Sequence, residues 1–157
     1  MADPLVAGFA IRRAVTADAD GISGCVDRAY AHYVARIGKK PSPMLEDYAG
    51  VIARNRVFVA ELDGDLAGML VLAAAEEGFL LETIAVDPLH QGKGAGRALL
   101  ELAEAEARAT GHASIYLYTH EKMSENLSLY ARIGYVEYDR RVEHGYGRVF
   151  MRKKLGL

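Results

Sequence analysis

The sequence predicts a single α/β domain in which a mixed sheet of about seven strands carries helices on both faces. A length of 157 residues suits one domain with one sizeable core. Hydrophobic residues make up 51% and charged residues 25%, which is typical of globular proteins. The apolar period changes along the chain in an order that gives a strand meander followed by strand–helix–strand crossovers. We therefore expect residues 1–157 to form one domain.

Each element is predicted from its local pattern. Apolar residues at helical spacing, with nearby caps or glycine stops, predict helices over Ala17–Arg36, Met44–Ile52, Ala98–Thr110 and Ser124–Ile133. Thr16 and Asp18 are candidate N-caps for the first of them. Alternation bounded by turn signals predicts strands over Phe9–Arg13, Arg56–Glu61, Leu66–Ala75, Phe79–Val86, Ser114–Thr119, Tyr135–Arg140 and Arg148–Lys153. Asp63-Gly64-Asp65 is a tight turn signal, and Glu143–Gly147 links the last two strands. The third helix is expected to bury Leu99, Leu102, Ala105 and Ala109.

Charge and cysteine content exclude several classes of function. The net charge of −2 provides no basic field for nucleic acid or anionic lipid. The single cysteine, Cys25, excludes an internal disulfide and gives no metal-ligand spacing; it is expected to be a small buried residue rather than a nucleophile. No apolar run approaches the ~18 residues of a membrane span, and no signal peptide is evident. We expect a cytoplasmic protein without a metal.

The most informative segment is a glycine-rich loop between a predicted strand and a predicted helix. Gly92, Gly94 and Gly96 alternate just where the helix begins, so backbone amides stand where side chains would otherwise be. Such amides at a helix N-terminus form a cradle for an anion, usually a phosphate. A Walker loop and a dinucleotide fingerprint both fail on glycine spacing. The alternative is a flexible turn without a ligand.

A third phosphate-binding pattern does fit the loop: Gln91-x-x-Gly94-x-Gly96, preceded by Val86-Asp87-Pro88. A second block, Ser124–Tyr135, carries Asn126 and Tyr130 on a helix that ends in Gly134 and an aromatic residue. Together with the order of elements, these segments resemble the GNAT N-acetyltransferases over essentially the whole chain. The match at Tyr130 and Gly134 is firmer than that at Asn126, since many family members place the Asn further ahead of the Tyr.

The resemblance implies a mostly antiparallel sheet, acetyl-CoA as cosubstrate, and a loop whose amides hold the pyrophosphate. Lys93 and Arg97 are expected to add charge-assisted contacts to phosphate, whereas His90 is expected to be solvent-exposed. The residues assigned to the cofactor are Ile84, Ala85, Val86, Gln91, Gly92, Lys93, Gly94, Ala95, Gly96, Arg97, Asn126 and Tyr130.

Acyl transfer to an amine sets the remaining requirements. An amine of pKa ~10.4 must lose a proton before it attacks the thioester. The oxyanion then needs a donor, for which the Val86 amide is the candidate, and the departing sulfur needs a proton. The resemblance places Tyr130 beside that sulfur. Glu82, in an otherwise apolar strand, is either the general base or a solvated or hydrogen-bonded glutamate.

Acceptor residues are predicted less sharply. Tyr118 and His120 lie at the carboxyl end of a strand, where open α/β sheets bind ligands. His120 is either a proton shuttle or a surface residue. By resemblance, Tyr30 and Tyr33 fall on the substrate wall, although Tyr33 also suits the core. Tyr146 belongs to the last hairpin, which could close the acceptor pocket.

The leading hypothesis is an acetyl-CoA-dependent N-acetyltransferase that acts on a primary amine of a small molecule, peptide or protein. The alternatives are a non-catalytic acyl-CoA-binding module of the same fold and a plain nucleotide-binding domain, the latter disfavoured by the failed motif tests. Family members often pair through sheet edges or helices, so the resemblance admits a homodimer.

Overall fold

The computed structural model describes residues 5–6 and 8–156, with the backbone alone at residues 5 and 6. These residues divide into two compact units. The first contains the described part of Met1–Leu72 together with Thr83–Ala103. The second contains Ala73–Glu82 and the described part of Glu104–Leu157. Two strands and one helix therefore contribute residues to both units.

The first unit is built on an antiparallel meander. Its strands are β1 (Leu5–Val6), β2 (Phe9–Arg13), β3 (Arg56–Leu62), β4 (Asp65–Ala75, up to Leu72) and the end of β5 (Gly78–Val86). The strands follow one another in sequence order, and the pairs from β1 to β4 are antiparallel. Helices α1 (Ala19–Ile37) and α2 (Tyr48–Arg54) lie between β2 and β3 in the chain. The largest fully buried side chains of this unit are Phe9, Ile22, Val26, Val57, Val59, Met69, Leu70, Leu72 and Leu99.

The second unit contains the parallel pairing. The start of β5 pairs in parallel with β6 (Ser114–His120), and the order continues through β8 (Tyr146–Lys154) to β7 (Val136–Glu143), each antiparallel to its neighbour. Helix α3 (Ala95–Ala109) precedes β6, and α4 (Ser124–Arg132) follows it. The largest fully buried side chains here are Ile115, Leu117 and Leu155.

The predicted α/β fold with a mixed, mostly antiparallel sheet is confirmed. The described residues form eight strands rather than about seven, because Leu5–Val6 adds a short pairing with β2.

Two hairpins turn on left-handed residue pairs. Asp63 and Gly64 have φ values of 51° and 84°, as a primed two-residue turn requires. His144 and Gly145 have φ values of 53° and 79°. This second pair makes a much shorter link than the predicted Glu143–Gly147, so β7 and β8 run beyond their predicted ends.

The first two helices begin later than predicted. A 3-10 turn over Thr16–Asp18 precedes α1, and the Asp18 carboxylate accepts from the Val15 amide and from Arg12 rather than capping the helix. A second 3-10 turn, Ser42–Leu45, ends at an extended Glu46, so α2 starts only at Tyr48.

The buried side of α3 differs from the predicted stripe. Leu99, Ala103 and Ala107 are completely buried, whereas Ala105 and Ala109 are exposed and Leu102 is half-buried. The true stripe therefore repeats every four residues, which keeps the small alanines toward the core.

Candidate active site

The glycine loop begins where β5 ends. Asp87 follows the strand, a 3-10 turn covers Pro88–His90, and α3 starts at Ala95, three residues before the predicted Ala98. Gly92 and Gly94 are left-handed, with φ values of 79° and 94°. They reverse the chain direction without the strain that a Cβ would bring.

The first amides of α3 lie ahead of the hydrogen bonds of the helix. The first α-helical hydrogen bond joins the Ala98 amide to the Gly94 carbonyl at 3.0 Å. The amides of residues 95–97 precede that bond, so the helix itself provides no acceptor for them. Donors at this end of a helix, together with its dipole, suit a diphosphate.

The loop side chains divide into exposed and engaged ones. Gln91, Gly92 and Lys93 are exposed. Arg97 is 86% exposed, and its Nε donates to Glu101 one turn along α3, at 3.1 Å. The loop thus presents mostly backbone, with Lys93 as an accessible cation.

His90 is not solvent-exposed, contrary to the prediction. Its side chain is only 14% exposed, and Nε2 lies 3.8 Å from an Asp65 carboxylate oxygen. Nδ1 is buried and has no hydrogen-bond partner among the described residues. The His90 amide donates to the Asp87 carbonyl at 2.8 Å and closes the 3-10 turn.

Asp87 fixes the turn before the loop. It is buried, and its carboxylate accepts from the Leu89 amide at 3.0 Å and from Arg28 Nε at 2.8 Å. Burial alone would raise its pKa, but the Leu89 amide and the Arg28 guanidinium hold that pKa below its usual range. Sequence reasoning named the Val-Asp-Pro motif but missed Arg28, which is 59 residues away along the chain.

The end of β5 shows the predicted alternation. Glu82, Ile84 and Val86 are half-buried, whereas Thr83 and Ala85 are buried. The Ile84 carbonyl accepts from the Tyr30 hydroxyl at 2.8 Å, so helix α1 is tied to the strand.

Tyr30 and Tyr33, both predicted on the acceptor side, are buried in the first unit. The ring of Tyr33 lies 3.8 Å from that of His32, and the Arg36 guanidinium lies 5.1 Å from the Tyr33 ring. These contacts agree with the alternative that Tyr33 belongs to the core.

Tyr130 is buried on α4 in the second unit. Its ring meets that of Tyr135 edge-on at 5.8 Å, and its carbonyl accepts from the Tyr135 amide at 2.9 Å. Gly134, with φ 106°, makes the chain reversal between them. Asn126 is half-buried, and its amide lies 3.6 Å from the Met123 sulfur.

Three predicted acceptor residues lie together in the second unit around Arg148, which sequence reasoning missed. The Arg148 guanidinium lies 4.5 Å from the Tyr118 ring and 5.8 Å from the Tyr146 ring. The His120 ring meets that of Tyr146 edge-on at 6.1 Å. Arg148 also pairs with Glu143 at 3.0 Å. The alternation of β8 could have indicated Arg148 from the sequence, because it places Arg148 on the same face as Phe150 and Arg152.

Glu82 acts electrostatically on this group. Burial raises the pKa of Tyr118; Arg148 opposes that rise, and the Glu82 carboxylate adds to it. The Glu82 carboxylate thus lies within electrostatic reach of Tyr118.

Other classes of site find no support among the described residues. No group of three or more His, Cys, Asp or Glu side chains there is arranged to hold a metal ion. Cys25 is completely buried, and burial raises its pKa to about 11, which makes it a poor nucleophile. Within residues 5–6 and 8–156, every helix is too short or too polar to cross a membrane.

Comparisons with known proteins agree on one family. Residues 53–137 match the family model of the acetyltransferase (GNAT) domain. Streptothricin acetyltransferase of Streptomyces lavendulae is 36% identical over 89 residues, which are 55% of this chain and 47% of that protein. The chain thus spans about half the length of this curated relative.

Solved structures with the same fold include three acetyltransferases. PaiA N-acetyltransferase of Thermoplasma acidophilum, in complex with coenzyme A, is 20% identical, with a TM-score of 0.77 over 94% of this chain and 99% of that one. The ribosomal-protein-S18-alanine N-acetyltransferase of Escherichia coli is 23% identical, with a TM-score of 0.75 and 94% of each chain covered. The putative acetyltransferase yncA of Salmonella typhimurium, with acetyl-CoA, is 26% identical, with a TM-score of 0.69 and 94% of each chain covered. The family match spans more than half of the chain, and the chain therefore belongs to the GNAT acetyltransferase family.

Proposed function

We propose that this protein is an acetyl-CoA-dependent N-acetyltransferase that moves an acetyl group directly to a primary amine. The observation that carries the proposal is the start of α3, where two left-handed glycines lead into amides that the helix leaves without acceptors. Those donors, with exposed Lys93, fit the diphosphate of coenzyme A.

For the cofactor we propose the same residues that the sequence predicted. The amides of Gln91–Arg97 would bind the diphosphate, and the backbone of Ile84, Ala85 and Val86 would hold the pantetheine arm. Asn126 and Tyr130 complete the assignment from α4. Acetyl-CoA supplies the activated acetyl group when it is bound.

The protein groups divide the remaining chemistry. Glu82, directly or through water, takes a proton from the acceptor ammonium, and the neutral nitrogen then bonds to the acetyl carbon. The Val86 amide donates to the carbonyl oxygen as charge develops there. Tyr130 would give a proton to the sulfur as the carbon–sulfur bond breaks, and the nitrogen would pass its second proton, directly or through water, to the tyrosine oxygen. The products are an N-acetyl amine and a free thiol, and no protein nucleophile is needed.

The acceptor is a primary amine of a small molecule, peptide or protein. Tyr118, His120 and Glu82 are half-buried and Tyr146 is buried, and this group of aromatic rings and a carboxylate suits a cationic amine. Tyr30 and Tyr33 complete the predicted acceptor residues. The curated relative is a streptothricin acetyltransferase, so streptothricin is the first acceptor to test.

The setting of the protein is also proposed. The whole chain, residues 1–157, is taken as one domain of the family, since solved relatives align over 94% of it. An unpaired Cys25 suits a reducing cytoplasm. The net charge of −2 disfavours nucleic acid and membrane partners, and a homodimer is consistent with the family resemblance.

Two measurements test the function. Coenzyme A at about 100 times its Kd should raise the free energy of unfolding by about 2.7 kcal/mol, whereas ATP at the same concentration should not. Free thiol release from acetyl-CoA should then depend on an added amine, with streptothricin heading a broad panel. No stabilisation by coenzyme A would exclude the cofactor assignment. Stabilisation without turnover on any amine would favour the non-catalytic module.

A further inference from the structure

An ion pair connects helix α1 to the turn that precedes the glycine loop. Arg28 lies in the middle of α1, and its Nε and terminal nitrogen lie 2.8 Å and 2.7 Å from Asp87 Oδ2. The Arg28 side chain is 54% exposed, whereas that of Asp87 is 6% exposed. Because Asp87 is buried and Arg28 is largely exposed, it is the position of Asp87 that depends on the ion pair.

Asp87 connects this ion pair to the glycine loop through its hydrogen bonds. Its amide donates to the Ala67 carbonyl on β4 at 2.8 Å, and its carbonyl accepts from the His90 amide at 2.8 Å. The same residue's Oδ1 accepts from the Leu89 amide at 3.0 Å. One residue thus fixes both the end of β5 and the 3-10 turn, and Gln91 follows immediately.

A second contact from α1 lies just before Asp87. The Tyr30 hydroxyl donates to the Ile84 carbonyl at 2.8 Å. Arg28 and Tyr30 therefore hold the chain on either side of Val86, whose amide is the proposed oxyanion donor. Neither residue needs to touch a ligand to influence where that amide and the loop amides point.

We propose that Arg28 is a positioning residue of the coenzyme A site, which acts on the glycine loop through Asp87. The inference rests on the proposed function, because it concerns the same cofactor. A carboxylate that loses its guanidinium partner while buried seeks water or another donor, and the turn it anchors then shifts. The binding amides lose their common orientation, and affinity for coenzyme A falls although no ligand contact is removed.

The test compares two variants of Arg28 with a matched control. Arg28→Gln removes the charge and the fork geometry, whereas Arg28→Lys keeps the charge. Arg12→Gln is the control, because Arg12 pairs with half-buried Asp18 at 2.8 Å in the same unit and the substitution removes the same charge. Isothermal titration gives the Kd for coenzyme A, and thermal unfolding gives the stability of each variant.

We expect Arg28→Gln to raise the Kd for coenzyme A by about tenfold or more and Arg28→Lys to recover part of that loss. The control should lower the Tm without changing the Kd. Wild-type affinity in Arg28→Gln would overturn the inference, as would an equal loss in Arg12→Gln. If Arg28→Gln fails to fold, Arg28→Lys decides: a Kd equal to wild type would overturn the inference, and a raised Kd with wild-type Tm would support it. Failure of the wild-type protein to bind coenzyme A would instead refute the proposed function.

Discussion

Two glycines of the loop are needed for different reasons, and alanine substitution distinguishes the backbone conformation required at Gly94 from the ligand contact proposed at Gly96. Gly94 has a φ of 94°, a conformation that costs an L-residue about 1–2 kcal/mol. Gly96 instead lies within the first turn of α3, where a Cβ would meet only Val86 Cγ2, at an ordinary 3.6 Å. The protein fold therefore requires glycine at position 94 and has no such requirement at position 96.

The two substitutions should therefore move stability in opposite directions. Gly94→Ala should lower the free energy of unfolding by about 1–2 kcal/mol. Gly96→Ala should leave it unchanged or raise it by up to about 1 kcal/mol, because alanine is the better helix former. Urea denaturation monitored by circular dichroism measures both values.

Affinity for coenzyme A should follow a different order. If the diphosphate approaches the backbone at Gly96 closely, a methyl group there raises the Kd about tenfold, or about 1.4 kcal/mol. Gly96→Ala would then be at least as stable as wild type and yet bind poorly, which only a ligand requirement explains. Unchanged affinity would refute the cradle interpretation, and a stability loss above about 1 kcal/mol would refute the helical placement of Gly96.

Three further predictions follow from buried contacts. Gly68→Ala should lower the free energy of unfolding by about 1–3 kcal/mol in urea denaturation, because its Cβ would lie 3.0 Å from the Ala85 carbonyl oxygen. Tyr130→Phe should lower kcat with little change in the Kd for coenzyme A. Its control, Tyr135→Phe, removes a buried hydroxyl that has no partner among the described residues, so kcat should stay at the wild-type value and the Tm should not fall. The pKa of Asp87 is lowered on folding, so its contribution to stability is present above its ordinary pKa of about 3.9 and is lost as the pH falls through the folded value. Asp87→Asn should therefore flatten the stability–pH curve in that acidic range, and an unchanged acid limb would contradict the assignment.

The glycine loop could be predicted from the sequence because its signals are local. Alternate glycines, a preceding strand and a following helix lie within a few turns of chain, and the structure places Gly92 and Gly94 in left-handed conformations there. Helical spacing also predicted α4, although it did not show that Tyr130 would rest on Tyr135.

The features that the sequence did not predict are mainly contacts between distant parts of the chain. Arg28 and Asp87 are 59 residues apart, so no window of sequence could reveal their pair. Arg148 meets Tyr118 only because β8 lies beside β6 in the sheet. The sequence placed His144 within the link Glu143–Gly147 but did not show that His144 and Gly145 alone make the turn, since histidine adopts a left-handed backbone less often than glycine.

The predicted acceptor residues differ in how accessible they are in the structure. Tyr33 is buried against His32 and Arg36, and the Tyr30 hydroxyl is bound to the Ile84 carbonyl, so both contribute first to the position of α1. In the second unit, by contrast, Tyr118 and His120 are only half-buried at the end of β6. Half-buried side chains can contact an incoming amine, whereas fully packed side chains can only hold the backbone in place. On the proposed function, we therefore expect discrimination among amines to depend mainly on β6 and the last hairpin, and the first helix to position the glycine loop.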